Sequence, residues 1–297
     1  MNEHLLKCLQ SLGLVLAVDL NGVAPYLAQA EDARRYGELE ANAVRAMTPA
    51  VASAQTPAGV LILNVSGIIR PRASEYAELM GYGCSVERLR ARIREAVNDQ
   101  GIAAIVLRMD TPGGVTSGLA ELHADILKAR EVKPIIAMVE TMCASAGYWI
   151  ASACSEIVAM QSALIGSIGV VTSHTDVTAM NEQMGVKVTL VATTPEKIER
   201  YPDVALSEEA QTHLEGLINA ELKLFVGAVA KGRGIKPQEV LDRYGRGRTF
   251  LTGEAKNMGM VDRVGTMESV LAGLAKTARG SRAPRAHISR SARMALL

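Results

Sequence analysis

The chain has 297 residues, with 32 Lys and Arg against 31 Asp and Glu, and is 48% hydrophobic but only 3% aromatic. That length is ample for a packed core, and the near-even charge argues against nucleic-acid binding over the whole surface. One Trp and two Phe leave little for stacking on bases or sugars, so the interior must rest on aliphatic side chains.

The first 57 residues read as an N-terminal helical arm and linker. Leu5 to Val18 is expected to form a short amphipathic helix, Glu31 to Met47 a second helix, and Thr48 to Pro57 a linker. The apolar stretch from Leu12 to Val18 is too short to span a bilayer, and the start Met1-Asn2-Glu3-His4 lacks the positive region of a signal peptide. No membrane span and no cleaved leader are expected.

From residue 58 the chain alternates. Short apolar runs at Gly59 to Val65, Ala103 to Met109, Pro134 to Val139 and Glu156 to Met160 read as buried strands. Between them, Ser85 to Val97, Thr116 to Arg130 and Ser145 to Ala153 read as helices, the first with a serine cap and Glu87 in its first turn. Strands separated by helices predict an α/β fold with a largely parallel sheet.

Later, Lys187 to Val191 reads as a strand and Thr193 to Ala205 as a polar loop. Ser207 opens a long helix to about Lys231, with Leu214, Leu217, Ile218, Leu222 and Phe225 on one face. Two short helices are expected between Gly234 and Gly259, and Val261 to Val264 closes a domain spanning 58–275. The tail, 276–297, carries six basic residues and no acid. It is expected to be disordered, and it is the one place where nucleic acid or an acidic partner could be met.

Four cysteines (Cys8, Cys84, Cys143, Cys154) have no two-residue spacing, and the five His include no H-E-x-x-H. Neither a metal site nor a disulfide framework is supported, and a reducing compartment fits better. Cys143 reads as a small buried apolar side chain.

Three segments carry the candidate chemistry. In Asp110-Thr-Pro-Gly-Gly-Val115, a Pro-Gly-Gly turn after a strand would bare backbone N–H groups, one half of an oxyanion hole. In Met142-Cys-Ala-Ser-Ala-Gly-Tyr-Trp149, Ser145 falls at a helix N-terminus, where the dipole favours negative charge. Its plain alternative is an N-cap. The third, Ile165-Gly-Ser-Ile-Gly-Val170, is a glycine-punctuated turn that could equally be structural.

Together these segments resemble the signal peptide peptidase A family of serine peptidases, which have the Clp-protease/crotonase-like fold. The matches are Thr111-Pro-Gly-Gly114, Ala144-Ser-Ala-Gly-Tyr-Trp-Ile-Ala151, Ile165-Gly-Ser-Ile-Gly-Val170 and the late Gly247-Arg-Thr-Phe-Leu-Thr-Gly-Glu-Ala255, in family order. The resemblance runs from about Gly59 to Gly265. It implies repeated strand–helix units and a Ser–Lys dyad with no cofactor and no metal. Ser145 would be the nucleophile, Lys197 the base and Ser167 the residue that orients the lysine. Gly113, Gly114 and Ala146 would supply the oxyanion hole. Ala146 stands where the family has Gly, Asp110 where it often has Asn, and Pro195 and Glu196 where it approaches the lysine through glycines.

A lysine base makes a severe demand. An unperturbed lysine has a pKa near 10.4, and lowering it by about 3 units means disfavouring the ammonium by roughly 4 kcal/mol. Inward-pointing Glu196 or Glu199 would oppose that. Lys187 reads as a strand-edge charge. The rival mechanism is a His triad with His174 and Asp176, and His123 reads as a surface residue.

The resemblance implies a serine endopeptidase acting on peptides or proteins, with small or apolar side chains at the cleavage point. The expected role is that of a phage or prophage head-maturation protease, cutting scaffold and capsid proteins. Its place would be the bacterial cytoplasm or the procapsid, and it would assemble as a homo-oligomer. The alternatives are a soluble signal-peptide or peptide hydrolase of the same family, a crotonase-like enzyme on the same fold, and a catalytically inactive assembly or scaffold protein.

Overall fold

The computed structural model describes residues 16–18, 53–56 and 58–281. The helix expected over Glu31 to Met47, the tail beyond Ser281 and most of Leu5 to Val18 lie outside these residues.

In chain order the strands are β1 (Leu16–Val18), β2 (Ser53–Gln55), β3 (Val60–Arg70), β4 (Gly83–Ser85), β5 (Ala104–Val115), β6 (Ile135–Ala144), β7 (Glu156–Ala159), β8 (Leu164–Gly166), β9 (Thr249–Leu251) and β10 (Arg263–Val264). All belong to one sheet. Its central order is β10-β7-β6-β5-β3-β2, parallel except for β2, which runs antiparallel on β3. The helices are α1 (Glu75–Leu79), α2 (Val86–Asn98), α3 (Leu119–Arg130), α4 (Ala146–Ser152), α5 (Thr178–Gln183), α6 (Glu208–Arg233), α7 (Pro237–Arg243), α8 (Thr252–Asn257) and α9 (Met267–Ser281). The chain is therefore α/β with repeated strand–helix units and a largely parallel sheet, as the alternation predicts.

The pleat sorts the core. Ile105, Leu107 and Met109 of β5 point to the face covered by α2, α3, α4 and α6, with Leu89, Ile93, Leu122, Ile126, Trp149 and Phe225 packed there. Ala104 and Val106 point to the other face with Ile136, Met138 and Val158, and Val270 of α9 covers them. Because both faces are buried, the strands read as unbroken apolar runs. The α2 start is as expected: Ser85 Oγ accepts from the Arg88 amide at 3.3 Å. Trp149 stacks on Phe225 with ring centroids 4.5 Å apart, which docks the short α4 against the long α6.

Several expectations are corrected. Leu16–Val18 is a strand on β5, not helix, and Ser53–Gln55, placed in the linker, is a strand on β3. Lys187 to Val191 finds no sheet partner and is exposed or half-exposed coil. Leu217, assigned to the apolar face of α6, is exposed. The start of the expected disordered tail, through Ser281, is helical.

His123 is also not on the surface. It is 3% exposed and sits one turn after Leu119, on the buried stripe of α3. Ser152 Oγ donates to the Trp149 carbonyl at 2.7 Å, so His123 Nε2, 3.2 Å from that oxygen, is the donor to it. Burial, and then Lys231 and Arg130, push the imidazole pKa down to about 4. Below pH 6.5 the unfolded chain takes up a proton that the folded chain refuses. Stability contributed by the neutral ring is complete above about pH 6.5 and falls by about 3 kcal/mol as pH drops to 4. His123→Gln should flatten this acid limb, as read by denaturant melts at pH 7, 5.5 and 4.5. An unchanged slope would contradict the burial argument.

Candidate active site

The site forms where β5 and β6 part. They pair in parallel from Ile105 and Ile135 to Met109 and Val139, after which the register shifts and only Thr111 and Cys143 remain opposite. Beyond this β6 ends and the chain turns into α4. Beyond it, too, the Pro-Gly-Gly segment does not make the tight turn read from sequence. It continues β5, with Gly113 and Gly114 opposite Ile68 and Ile69 of β3. Pro112, which cannot donate to a ladder, follows the register shift. Gly114 is required by contact, since a Cβ there would lie 1.9 Å from the Ile69 carbonyl oxygen.

Ser145 occupies the turn between β6 and α4. Its φ of 51° is in the region L-residues avoid, at a cost of about 1–3 kcal/mol. The turn is held from both sides: the Ser145 amide donates to the Gly166 carbonyl at 2.7 Å, and its carbonyl accepts from the Trp149 amide at 3.0 Å. The side chain is 1% exposed. Its Oγ accepts from no α4 amide and has no hydrogen-bond partner among the described residues. The N-cap reading therefore fails, because a cap would bond the first turn. A strained, buried hydroxyl without a partner is an expensive arrangement for a structural serine.

The neighbours of Ser145 explain its sequence context. α4 is buried throughout. Gly147 lets its first turn close on β5, where a Cβ would come within 2.5 Å of Thr111 Cγ2. Ala146 is fully buried, so the methyl that replaces the family's glycine is accommodated. Cys143, next but one to Ser145, is buried, and desolvation first, then Cys154, raises its thiol well above the ordinary range. It stays protonated and is no competing nucleophile.

Ser167 is brought to Ser145. β8 pairs with β6 in the register Ala144 opposite Gly166, so each serine is the residue that follows one of these two paired strands. Ser167 also has positive φ, 56°, and its amide donates to the Arg248 carbonyl at 2.7 Å. That carbonyl belongs to the late motif, whose β9 lies antiparallel on β8. The fourth motif thus backs the third.

The glycine amides differ in availability. Gly113 N–H donates to Thr111 Oγ1 at 3.1 Å, while that hydroxyl donates to the Gly67 carbonyl at 2.6 Å. Gly114 stands opposite Ile69 of β3 and Ala17 of β1, and Ala146 opens α4. Thr111, fully buried, thus ties the Gly113 amide to the Gly67 carbonyl through its hydroxyl, a link the sequence analysis does not single out. Its signal was a hydroxyl two residues before Gly113.

Lys197 is not brought to Ser145 within this chain. It ends the 3-10 turn Pro195–Lys197 and is exposed, with no side-chain hydrogen bond or ion pair among the described residues. Glu196 is exposed, its carboxyl held low by Thr194. The rival triad is not assembled either. His174 Nε2 lies 3.0 Å from the Val204 carbonyl oxygen and donates to it. Asp176 Oδ1 accepts from the amide and hydroxyl of Thr178, at 2.9 and 2.6 Å.

Among the described residues no group of three or more His, Cys, Asp or Glu could hold a metal ion, and no helix is long and apolar enough to cross a membrane.

Residues 128–280 match the model of Peptidase family S49. The chain is 32% identical to the capsid assembly protease C of Escherichia phage lambda, over 71% of this chain and 47% of the relative. It is 33% identical to protease 4 of Salmonella typhi, over 64% and 30%. It is 29% identical to the head-tail preconnector protein GP5 of Enterobacteria phage P21, over 61% and 36%. The chain thus spans less than half the length of each of these three relatives.

Proposed function

Since the chain belongs to peptidase family S49, we propose that it is a serine endopeptidase with Ser145 as nucleophile and Lys197 as general base. The observation that carries this reading is Ser145 itself: buried, at positive φ, its hydroxyl unpartnered beside a glycine strand and a helix start. In the proposed reaction Ser145 Oγ attacks the peptide carbonyl and its proton passes to Lys197 Nζ. The oxyanion is met by the amides of Gly114 and Ala146. Lys197 returns the proton to the leaving amine, and water then hydrolyses the acyl-enzyme. Ser167, next to Ser145, orients the lysine.

Lys197 must reach this site and lose water to act as a base. The segment carrying it supports a homo-oligomer as the means. None of the residues of α5 is buried, and Met180, Met184, Val186, Val188 and Val191 are exposed, Val191 at 94%. Covering that apolar face with a second copy would desolvate the lysine in the same step.

The proposed substrates are scaffold and capsid proteins in a bacterial cytoplasm or procapsid. The phage lambda and phage P21 relatives support that role, and the buried free thiols Cys84, Cys143 and Cys154 suit a reducing compartment. The test is incubation of the purified chain with an unfolded protein, with and without a serine-directed fluorophosphonate. Cleavage that the reagent blocks is expected. Intact substrate in preparations that sediment as oligomers would contradict the assignment and favour an inactive assembly protein.

A further inference from the structure

We propose that Leu16–Val18 is an intramolecular occupant of the edge where a peptide substrate pairs, so that substrate must displace it. β3 lies along one edge of β5 as far as Gly114. The other edge belongs to β6 only up to Thr111. Past that point β6 has turned into Ser145 and α4, and the edge of Gly113–Val115 that faces the departure point is left to another strand. Leu16–Val18 takes it, antiparallel, with Leu16 opposite Val115, Ala17 opposite Gly114 and Val18 opposite Gly113. The strand therefore lies along the edge of β5 that β6 leaves as it turns into Ser145.

What this edge recognises follows from its composition. Gly113 and Gly114 offer no side chains, so pairing is through backbone N–H and C=O groups, which any extended peptide supplies. Among the described residues that pairing covers three, and a longer extended peptide offers more backbone groups to compete for it. A strand in place nine-tenths of the time would lower apparent peptide affinity about tenfold, because only the open fraction binds.

The inference rests on the peptidase reading for its meaning, but its test does not depend on turnover. Leu16→Cys with Val115→Cys, in a Cys8→Ala and Ser145→Ala background, places thiols on directly opposed residues, a spacing a disulfide spans. Binding of a fluorescein-labelled peptide of alternating Ala and Leu is read by anisotropy. The oxidised protein should bind at least tenfold more weakly than the same protein after reduction. Ala17→Pro, which removes an N–H and fixes φ away from the strand value, should bind about tenfold more tightly than its parent. Equal affinity in the oxidised and reduced forms would overturn the proposal, as would failure of the disulfide to form. Loss of turnover in every Ser145-containing form, with these affinity differences intact, would count against the peptidase reading alone.

Discussion

Ser145→Ala and Ser145→Gly are both expected to lose peptide hydrolysis, by roughly 10⁴-fold or more in kcat/KM, with both proteins at least as stable as the parent. The loss follows from removing the attacking oxygen while the glycine strand and helix start remain. The stability change has the opposite sign to most buried substitutions. Ser145 Oγ is buried without a partner, so deleting it removes a desolvation penalty of about 1–3 kcal/mol. Glycine also relieves the positive φ, offset by about 0.5–1 kcal/mol of its own conformational entropy. Thermal melts beside peptide assays check both parts. A structural serine would give the reverse: destabilised variants with activity in proportion to the folded fraction.

On the proposed dyad, Lys197→Ala is expected to lower kcat/KM by about 10²–10⁴-fold, the range of a general base, and Lys197→Arg to be nearly as damaging because a guanidinium stays protonated. His174→Ala keeps most activity, consistent with a ring that donates to Val204 rather than facing the serine. The competing triad predicts loss with His174→Ala and tolerance of Lys197→Ala. Values of kcat/KM for the three variants on one peptide separate the two. An active Lys197→Ala enzyme would remove the dyad even if Ser145 proved essential.

The central sheet was legible because its strands are buried on both faces and betray themselves as apolar runs. β1 and β2 were not. Ser53–Gln55 is polar and too short to alternate, and Leu16–Val18 is embedded in an apolar stretch that also fits a helix. Both are strands only because β5 and β3 have free edges, which is tertiary information. The same holds in reverse for Lys187 to Val191, whose composition reads as a strand that finds no partner. Pro112-Gly-Gly114 reads as a turn by residue type, yet the chain stays extended because β3 pairs with it through Gly114. The position of Ser145 at a strand-to-helix turn was legible, but its strain and lack of a partner were not, since both depend on Gly166 and on burial. His123 was misplaced although its spacing from Leu119 and Ile126 put it on the buried stripe of α3. Lys197 is exposed in this chain, and its sequence, a polar turn between two glutamates, carries no mark of burial.

Mass-spectrometric location of a fluorophosphonate adduct tests the central claim most directly. The purified chain is treated with the reagent, digested and sequenced, beside Ser145→Ala as control. One adduct per chain on Ser145, formed in step with loss of peptide hydrolysis and absent from the variant, is the predicted result. Full peptide hydrolysis with Ser145 unmodified, or inactivation by an adduct on another residue that persists in Ser145→Ala, would contradict the account.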